Sequence, residues 1–136
     1  MAVDPARLDV VPLFAHLSGE QRKAVADKLE ERSVEPGRHL TTEHGSGYFF
    51  FVIERGTADV SHDDGAVVAT LGPGDFFGEA AILTGERRNA SVTAASDATL
   101  FVLFGTEFRV LERDYPAAAE KIMQKMLERT TEAPQT

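Results

Sequence analysis

The order of apolar and polar positions divides the chain into helical ends and a β-rich middle. Near the N-terminus, Ser18 followed by Gln21 forms a capping-box pattern and predicts a helix from residue 19 to about residue 31. Its apolar residues recur at helical spacing and give it one buried face: Ala24, Val25 and Leu29. The Pro-Gly pair at 36–37 breaks this helical pattern and marks the start of a different region.

Short β-prone runs separated by turn residues occupy the region from residue 38 to residue 104. The runs are 48–53, 58–61, 67–71, 91–94 and 99–104. Strands of this length and spacing, with glycine-rich turns between them, are typical of a small antiparallel barrel or jelly roll. A short helical stretch at 79–84 interrupts the series, and it is too glycine-bracketed to be an ordinary core helix.

The C-terminal part of the chain returns to a helical pattern. Thr106 can cap a helix over 107–113, and Pro116 suits the first position of a longer helix that runs to about residue 129. We therefore predict an α+β fold, in which an antiparallel β jelly-roll barrel with one short helix is flanked by an N-terminal helix and two C-terminal helices. The predicted domain spans 13–129, between an N-terminal segment, 1–12, and a flexible tail, 130–136.

Composition and charge narrow the classes of function. The chain has 136 residues, a length typical of one domain, and no cysteine, which excludes disulfides, Cys-based zinc sites and a cysteine nucleophile. Its formal net charge of −8 argues against nucleic-acid binding, which depends on Lys and Arg neutralising phosphates. The sequence has no signal-peptide pattern and no apolar stretch of about 18 residues, so we predict a cytoplasmic protein without a membrane partner.

The segment from Gly78 to Ala90 carries the most informative chemistry. Glu79 opens the short helical stretch and is followed by two alanines, which leave the backbone amides accessible. Helix N-termini present unpaired N–H groups that attract anions. The double arginine at 87–88 adds a guanidinium that can grip two phosphate oxygens, and Glu79 leaves a carboxylate for a hydroxyl group. These residue types in this order suit a small phosphorylated sugar.

Each of these residues also has a purely structural interpretation. Gly78 can serve a tight turn alone, Glu79 can act as an acid that complements the helix dipole, and the arginine pair can be solvated beside Glu86. Their arrangement within one short segment, directly before the β-prone run at 91–94, favours a binding site over three independent structural roles.

This segment and its flanks resemble the phosphate-binding cassette of cyclic nucleotide-binding domains, which occur in the catabolite activator protein, in regulatory subunits of cyclic-AMP-dependent kinase and in cyclic-nucleotide-gated channels. The matching residues are Phe76-Phe77-Gly78-Glu79-Ala80-Ala81-Ile82-Leu83 and, after a short loop, Arg88-Asn89-Ala90-Ser91-Val92. The resemblance extends from about Leu13 to about Leu127 and includes the turns at 36–37 and 72–75.

The resemblance implies roles for individual residues. Those that would bind the cyclic nucleotide are Phe77, Gly78, Glu79, Ala80, Ala81, Arg88, Asn89 and Ala90. Glu79 would accept the ribose 2′-hydroxyl, and Arg88 rather than Arg87 would bind the cyclic phosphate, because Arg88 stands two residues before Ala90. Asn89 occupies a place that the family more often gives to Ala, Ser or Thr, and an amide both donates and accepts, so the choice between cAMP and cGMP stays open.

The last helix resembles the family's mobile lid, whose apolar side chains cap the base. Its candidate lid residues are Met123, Met126 and Leu127. The resemblance therefore implies a non-catalytic regulatory domain that couples ligand binding to movement of its C-terminal helices. The implied ligand is cAMP, with cGMP as the alternative, and no cofactor or metal is expected. A homodimer or an effector domain is expected to engage the C-terminal helix.

Two other interpretations of the barrel remain. It can be a degenerate barrel that has lost its ligand and serves in protein contacts, although the intact Glu79 and Arg88 argue against this. It can also be a cupin-type metalloenzyme, which needs clustered histidines, usually two that are one residue apart. His39 and His44 do not have that spacing.

Overall fold

The computed structural model describes residues 3–9, 11–41, 49–61, 65–77 and 91–132, and its central feature is a pair of four-stranded antiparallel sheets. In chain order the strands are β1 (Glu30–Val34), β2 (His39–Thr41), β3 (Phe49–Arg55), β4 (Ala58–Ser61), β5 (Val67–Leu71), β6 (Phe76–Phe77), β7 (Ser91–Ala94) and β8 (Ala98–Phe104). The first sheet has the order β1-β8-β3-β6, and the second has the order β2-β7-β4-β5. Because the chain passes repeatedly between the sheets, the predicted jelly-roll architecture is confirmed, although the two sheets do not close into one barrel.

The two sheets pack face to face around an apolar interior. The first sheet contributes Phe51, Ile53, Phe77, Leu100 and Val102. The second sheet contributes Ala58, Val60, Leu71 and Val92. Burial of these side chains from both sheets supplies the main driving force for the sandwich.

Three helices of the described ranges cover the other face of the first sheet. They are α1 (Gly19–Ala26), α2 (Gly105–Asp114) and α3 (Pro116–Glu132), and two short 3-10 turns precede them at Pro5–Leu8 and Pro12–Phe14. Their buried residues join Phe50, Phe101 and Leu103 of the sheet in a second apolar cluster. The first sheet is therefore buried on both faces, by the helices on one side and by the second sheet on the other.

Burial on both faces explains the sequence of β3, in which five apolar residues stand in a row from 49 to 53. Phe50 and Val52 face the helices, whereas Phe51 and Ile53 face the second sheet. Side chains alternate between the two faces of a strand, so a strand that is covered on both faces needs apolar residues at every position.

The predicted N-terminal helix is wrong at its C-terminal end. It begins after the Ser18 cap as expected, but it ends at Ala26, and the residues from Glu30 to Val34 form β1 instead. β1 pairs with β8 from Glu30 opposite Val102 to Val34 opposite Ala98. Its side chains are almost all exposed, so its sequence lacks the apolar alternation that predicts a strand. Its conformation is determined by its pairing with the neighbouring strand.

Most other predicted elements are confirmed. The strands expected at 58–61, 67–71 and 91–94 are β4, β5 and β7, and the runs at 48–53 and 99–104 correspond to β3 and β8, whose bounds differ by one or two residues. The two C-terminal helices are α2 and α3; α2 begins at Gly105 and α3 continues to Glu132. The short helix expected at 79–84 lies outside the described residues.

The N-terminal segment, which shows no strong sequence pattern, packs into the helical cluster. Val3 and Leu8 are buried there, and the side chain of Asp4 accepts a hydrogen bond from the Ala6 amide and caps the first 3-10 turn. Within the described residues, no helix is both long enough and apolar enough to cross a membrane.

Candidate functional site

The candidate site is the segment 78–90, and both of its ends are fixed by the sheets. The segment itself lies outside the described residues, and with it lie the predicted site residues Gly78, Glu79, Ala80, Ala81, Arg88, Asn89 and Ala90. The residue before it, Phe77, ends β6 at the edge of the first sheet. The residue after it, Ser91, begins β7 in the interior of the second sheet. The segment therefore connects one sheet to the other.

Phe77 is the only predicted ligand-binding residue within the described residues, and it is a core residue. It is 5% exposed and lies between the two sheets. Its ring stacks on Phe51, the residue opposite it in the strand pairing, with centroids 4.8 Å apart and planes inclined by 13°. The stacked pair forms an apolar support directly before the start of the candidate site.

The neighbouring Phe76 faces the opposite side of β6. It belongs to the helical cluster, and its ring lies 5.6 Å from that of Phe50 in a tilted arrangement. Two consecutive phenylalanines therefore fasten β6 to both apolar clusters. Within the described residues, β6 is a two-residue strand at the edge of the first sheet, so these side chains compensate for its short hydrogen-bonded pairing with β3.

A hydrogen-bonded turn from Gly72 to Asp75 leads into β6. The Gly72 amide donates to Oδ2 of Asp75 at 2.8 Å, and the Asp75 amide donates to the Gly72 carbonyl at 3.0 Å. The turn is also tied to β3, because Gly74 N–H donates to the Ile53 carbonyl at 2.7 Å and Ile53 N–H donates to the Asp75 carbonyl at 2.9 Å. The sequence indicated a turn here but not the role of the Asp75 side chain.

The other end of the candidate site enters a strand that is paired on both sides. In β7, Ser91 lies opposite Ser61 of β4, and Val92 lies opposite both Val60 of β4 and Thr41 of β2. Val92 and Val60 are 5% and 8% exposed and point between the sheets. The segment thus ends where β7 is paired with a strand on each side.

The predicted lid residues lie on α3, and the structure places them differently. Met123 is partly buried and packs against the helical cluster, beside the fully buried Ile122. Leu127 is 51% exposed. The side chain of Met126 lies outside the described residues. The helix therefore changes from a buried to an exposed apolar surface toward its C-terminal end.

α3 is also linked to the N-terminal cap of α1. The ammonium group of Lys121 donates to the His16 carbonyl at 3.3 Å and to Oε1 of Gln21 at 3.0 Å. The same Gln21 oxygen accepts from the Ser18 amide at 2.9 Å in the capping box. One side-chain oxygen therefore joins the first and last helices of the domain.

An ion-pair cluster centred on Arg7 lies at the surface where the N-terminal segment meets the first sheet. Hydrogen bonds that the Arg7 guanidinium donates to Glu54 and to Glu31 raise its pKa well above the ordinary value. The hydrogen bond from Arg7 in turn lowers the pKa of Glu31. Sequence inspection did not find this cluster, because its members lie far apart in the chain.

Metal chemistry receives no support from the described residues. Within those ranges, no group of three or more His, Cys, Asp or Glu side chains could hold a metal ion. Nδ1 of His39 lies 3.2 Å from the hydroxyl oxygen of Thr93 on the neighbouring strand, an ordinary contact between polar side chains. The second histidine considered for a cupin-type site, His44, lies outside the described residues.

Comparison with known proteins identifies the same family as the sequence motif. The sequence profile of the cyclic nucleotide-binding domain matches residues 31–115. A cAMP-dependent protein kinase regulatory subunit of Yarrowia lipolytica is 42% identical over 88 residues, which cover 64% of this chain and 24% of that protein. A cyclic nucleotide-gated potassium channel of Rhizobium etli is 34% identical over 119 residues, which cover 88% of this chain and 33% of that protein.

The fold comparison agrees. The structure of the regulatory subunit of a cAMP-independent protein kinase A from Trypanosoma brucei superposes with a TM-score of 0.80 at 25% identity, over 95% of this chain and 46% of that one. The chain thus spans about a quarter to a third of the kinase and channel relatives that it matches. With the profile match over most of its length and the two-sheet fold described above, the chain belongs to the cyclic nucleotide-binding domain family.

Proposed function

We propose that this domain is a non-catalytic sensor that binds cAMP and transmits binding to its C-terminal helices. The observation that carries the proposal is the placement of the two ends of segment 78–90. Phe77 fixes one end in the first sheet and Ser91 fixes the other in the second sheet. The residues that resemble the phosphate-binding cassette therefore lie in the one stretch of chain that runs from β6 of the first sheet to β7 of the second.

The chemistry of the segment suits a cyclic phosphate. The phosphodiester carries one negative charge, and the Arg88 guanidinium offers two parallel hydrogen bonds to it. Backbone amides from Gly78 to Ala81 can add further donors, and Glu79 can accept the ribose 2′-hydroxyl. A locally positive site of this kind is compatible with a chain whose net charge is −8, because only one pocket has to be positive.

The proposed response is a shift in the position of α3. A ligand that contacts both the cassette and the lid favours the arrangement in which they meet, and it can shift the equilibrium only by its difference in affinity for the two arrangements. The exposed Leu127 and the partly buried Met123 suit a helix with an apolar surface that can be covered in one of these states. A homodimer partner or an effector domain is proposed to engage the same helix.

The relatives support a regulatory role, and they also define what has to be measured. The Y. lipolytica relative is the regulatory subunit of a cAMP-dependent kinase, and the R. etli relative is a cyclic nucleotide-gated channel. The T. brucei subunit, in contrast, belongs to a cAMP-independent kinase. Membership of the family therefore does not by itself select cAMP. The effector, the cytoplasmic location and the absence of catalysis are parts of the proposal.

Isothermal titration calorimetry with cAMP, cGMP and 5′-AMP tests the proposal. We expect saturable binding of cAMP, weaker binding of cGMP and no measurable binding of 5′-AMP, because 5′-AMP carries a second charge and lacks the cyclic ester. A thermal unfolding scan with each nucleotide gives an independent measurement, since a ligand that binds only the folded state raises the Tm. Absence of binding and of any Tm shift with both cyclic nucleotides would contradict the proposal.

A further inference from the structure

The turn before β6 is closed by a single carboxylate. Oδ2 of Asp75 accepts from the Gly72 amide at 2.8 Å, while the Asp75 amide donates back to the Gly72 carbonyl at 3.0 Å. The Asp75 side chain is exposed and belongs to neither apolar cluster. Its contacts are therefore those of a residue that shapes the backbone rather than one that fills the core.

This turn determines where β6 begins. The carbonyl of Asp75 accepts from Ile53 N–H at 2.9 Å, and Gly74 N–H donates to the Ile53 carbonyl at 2.7 Å. β3, which contains Ile53, is held between β8 and β6 within the first sheet. The turn is thus fixed to a central strand at the position directly before the two residues of β6.

β6 links this turn to the candidate site. Within the described residues it pairs with β3 through Phe76 opposite Val52 and Phe77 opposite Phe51. The next residue in the chain is Gly78, the first residue of the candidate site. A rotation or shift of the turn at 72–75 would therefore pass through only two residues before it reached the site.

We propose that Asp75 is a positioning residue for the cyclic nucleotide site. Its carboxylate closes the turn, and the turn sets the position of β6, whose last residue directly precedes the site. Asp75 does not contact the ligand in this assignment. The assignment rests on the proposed function, because it concerns the affinity of that same site.

The substitutions Asp75→Ala and Asp75→Asn separate this role from a general contribution to stability. Alanine removes the acceptor, and we expect the Kd for cAMP to rise about tenfold, because the apparent affinity falls in proportion to the fraction of molecules in which the turn keeps its closed arrangement. Asparagine keeps a side-chain oxygen that can accept from the Gly72 amide, so we expect its Kd to stay within about threefold of the wild-type value. Asp97→Ala is the matched control, because it removes an exposed acid from a different turn of the sandwich.

Calorimetry is carried out at a temperature at which circular dichroism shows that every variant is fully folded. Weak binding by Asp75→Ala, together with near-normal binding by Asp75→Asn and Asp97→Ala, supports the assignment. An unchanged Kd for Asp75→Ala overturns it, and so does an equal loss for Asp75→Asn, which would point to the charge instead of the turn.

If Asp75→Ala does not fold, Asp75→Glu replaces it, since the extra methylene keeps the charge but displaces the acceptor. A folded Asp75→Glu protein with wild-type affinity would likewise overturn the assignment. Failure of the wild-type protein to bind any cyclic nucleotide overturns the proposed function, and the assignment with it. Normal binding by wild type and by Asp75→Ala overturns the assignment alone.

Discussion

Arg7 and Glu54 form a two-pronged ion pair between the N-terminal 3-10 turn and β3. Nε of Arg7 donates to Oε2 of Glu54 at 2.9 Å, and its Nη2 donates to Oε1. Nη1 of Arg7 also reaches Glu31 of β1 at 2.5 Å, and the guanidinium carbon lies 5.1 Å from the centre of the Phe101 ring of β8. One side chain thus spans three adjacent strands of the first sheet.

Replacing Arg7 should loosen the N-terminal segment from the sheet. Glu54 is only 12% exposed, so Arg7→Ala leaves a partly desolvated carboxylate without its partner. We expect Arg7→Ala to lower the free energy of unfolding by about 1–2 kcal/mol. The stability of Arg7→Lys should lie between those of Arg7→Ala and wild type, because an ammonium group cannot make the two parallel hydrogen bonds.

Urea denaturation measures this effect, with Arg109→Ala as the control. Arg109 is 76% exposed and its nearest carboxylate oxygen lies 3.9 Å away, so its removal should change stability by less than about 0.5 kcal/mol. Equal stabilities of Arg7→Ala and Arg109→Ala would show that the ion-pair cluster contributes nothing beyond an ordinary surface contact.

Glu31 should contribute to the pH dependence of stability. The hydrogen bond from Arg7 lowers the pKa of Glu31 in the folded state below its ordinary value of 4.5. A lowered carboxyl pKa means that the folded state binds the proton less readily than the unfolded state does. The stabilisation is therefore fully present above pH 4.5 and is lost as the pH falls through the lowered pKa.

Glu31→Gln removes this contribution and provides the measurement. The difference in unfolding free energy between wild type and Glu31→Gln should be largest near pH 7 and should shrink as the pH is lowered to about 3. A difference that stays constant over this range, or grows in acid, would contradict the assignment of the lowered pKa to Glu31.

Gly56, in the turn between β3 and β4, has no room for a side chain. Its φ is +89°, and a Cβ atom there would lie 2.3 Å from the Asp97 carbonyl oxygen and 2.7 Å from Cα of Ala98. Because both contacts are with backbone, they cannot be relieved by a rotamer change. We expect Gly56→Ala to destabilise the fold by about 3 kcal/mol or more, by overpacking added to backbone strain.

Gly37→Ala isolates the backbone component of that effect. Gly37 has the same φ of +89°, but nothing lies within 4 Å of the position of its Cβ. Only the left-handed conformation is then unfavourable, which costs about 1–2 kcal/mol. Thermal unfolding of both variants checks the comparison, and equal losses of stability would show that the contact with residues 97–98 is readily relieved.

The features of this fold that can be predicted from the sequence are the local ones. β4, β5 and β7 are bounded by turn residues and were predicted with the bounds that the structure shows. β1 was missed because its exposed side chains carry no alternation, and only its pairing with β8 makes it a strand. The pattern of neighbouring residues therefore predicts a strand when its residues are apolar or β-branched, even where most of them are exposed as in β5, and it fails for a largely charged strand such as β1.

Polar contacts between residues that are distant in the sequence could not be predicted, because they depend on how the elements pack. Arg7 and Glu54 meet only because the 3-10 turn packs beside β3, and Lys121 reaches Gln21 only because α3 packs near α1. The candidate site shows the opposite behaviour, since its residues are consecutive and its motif can be read directly. The roles of the residues in 78–90 stay predictions, and two of them can be tested separately.

Glu79 is predicted to distinguish ribose from deoxyribose. Its carboxylate would accept the 2′-hydroxyl, so wild-type protein should bind cAMP more tightly than 2′-deoxy-cAMP by about tenfold. Glu79→Ala should weaken cAMP binding and bring the two affinities together, whereas Glu86→Ala in the same segment should keep the preference. A Glu79→Ala protein that still prefers the ribose ligand would exclude this role.

Arg88 and its neighbour Arg87 form the most direct test of the cassette, because they have the same charge and are adjacent in the chain. Only Arg88 stands two residues before Ala90, as the cassette motif requires. The loss of a charge-assisted contact to the cyclic phosphate should raise the Kd of Arg88→Ala by about tenfold to a hundredfold. Arg87→Ala removes the same formal charge, so it should change the Kd by less than about threefold if only long-range attraction is lost. Calorimetry at two salt concentrations separates the effects, since a surface charge is screened by salt and a phosphate contact in a pocket is screened much less. Equal losses of affinity in the two variants would mean that the arginine pair attracts the ligand by long-range electrostatics and not by one specific contact. A larger loss of affinity for Arg87→Ala would assign the phosphate contact to Arg87.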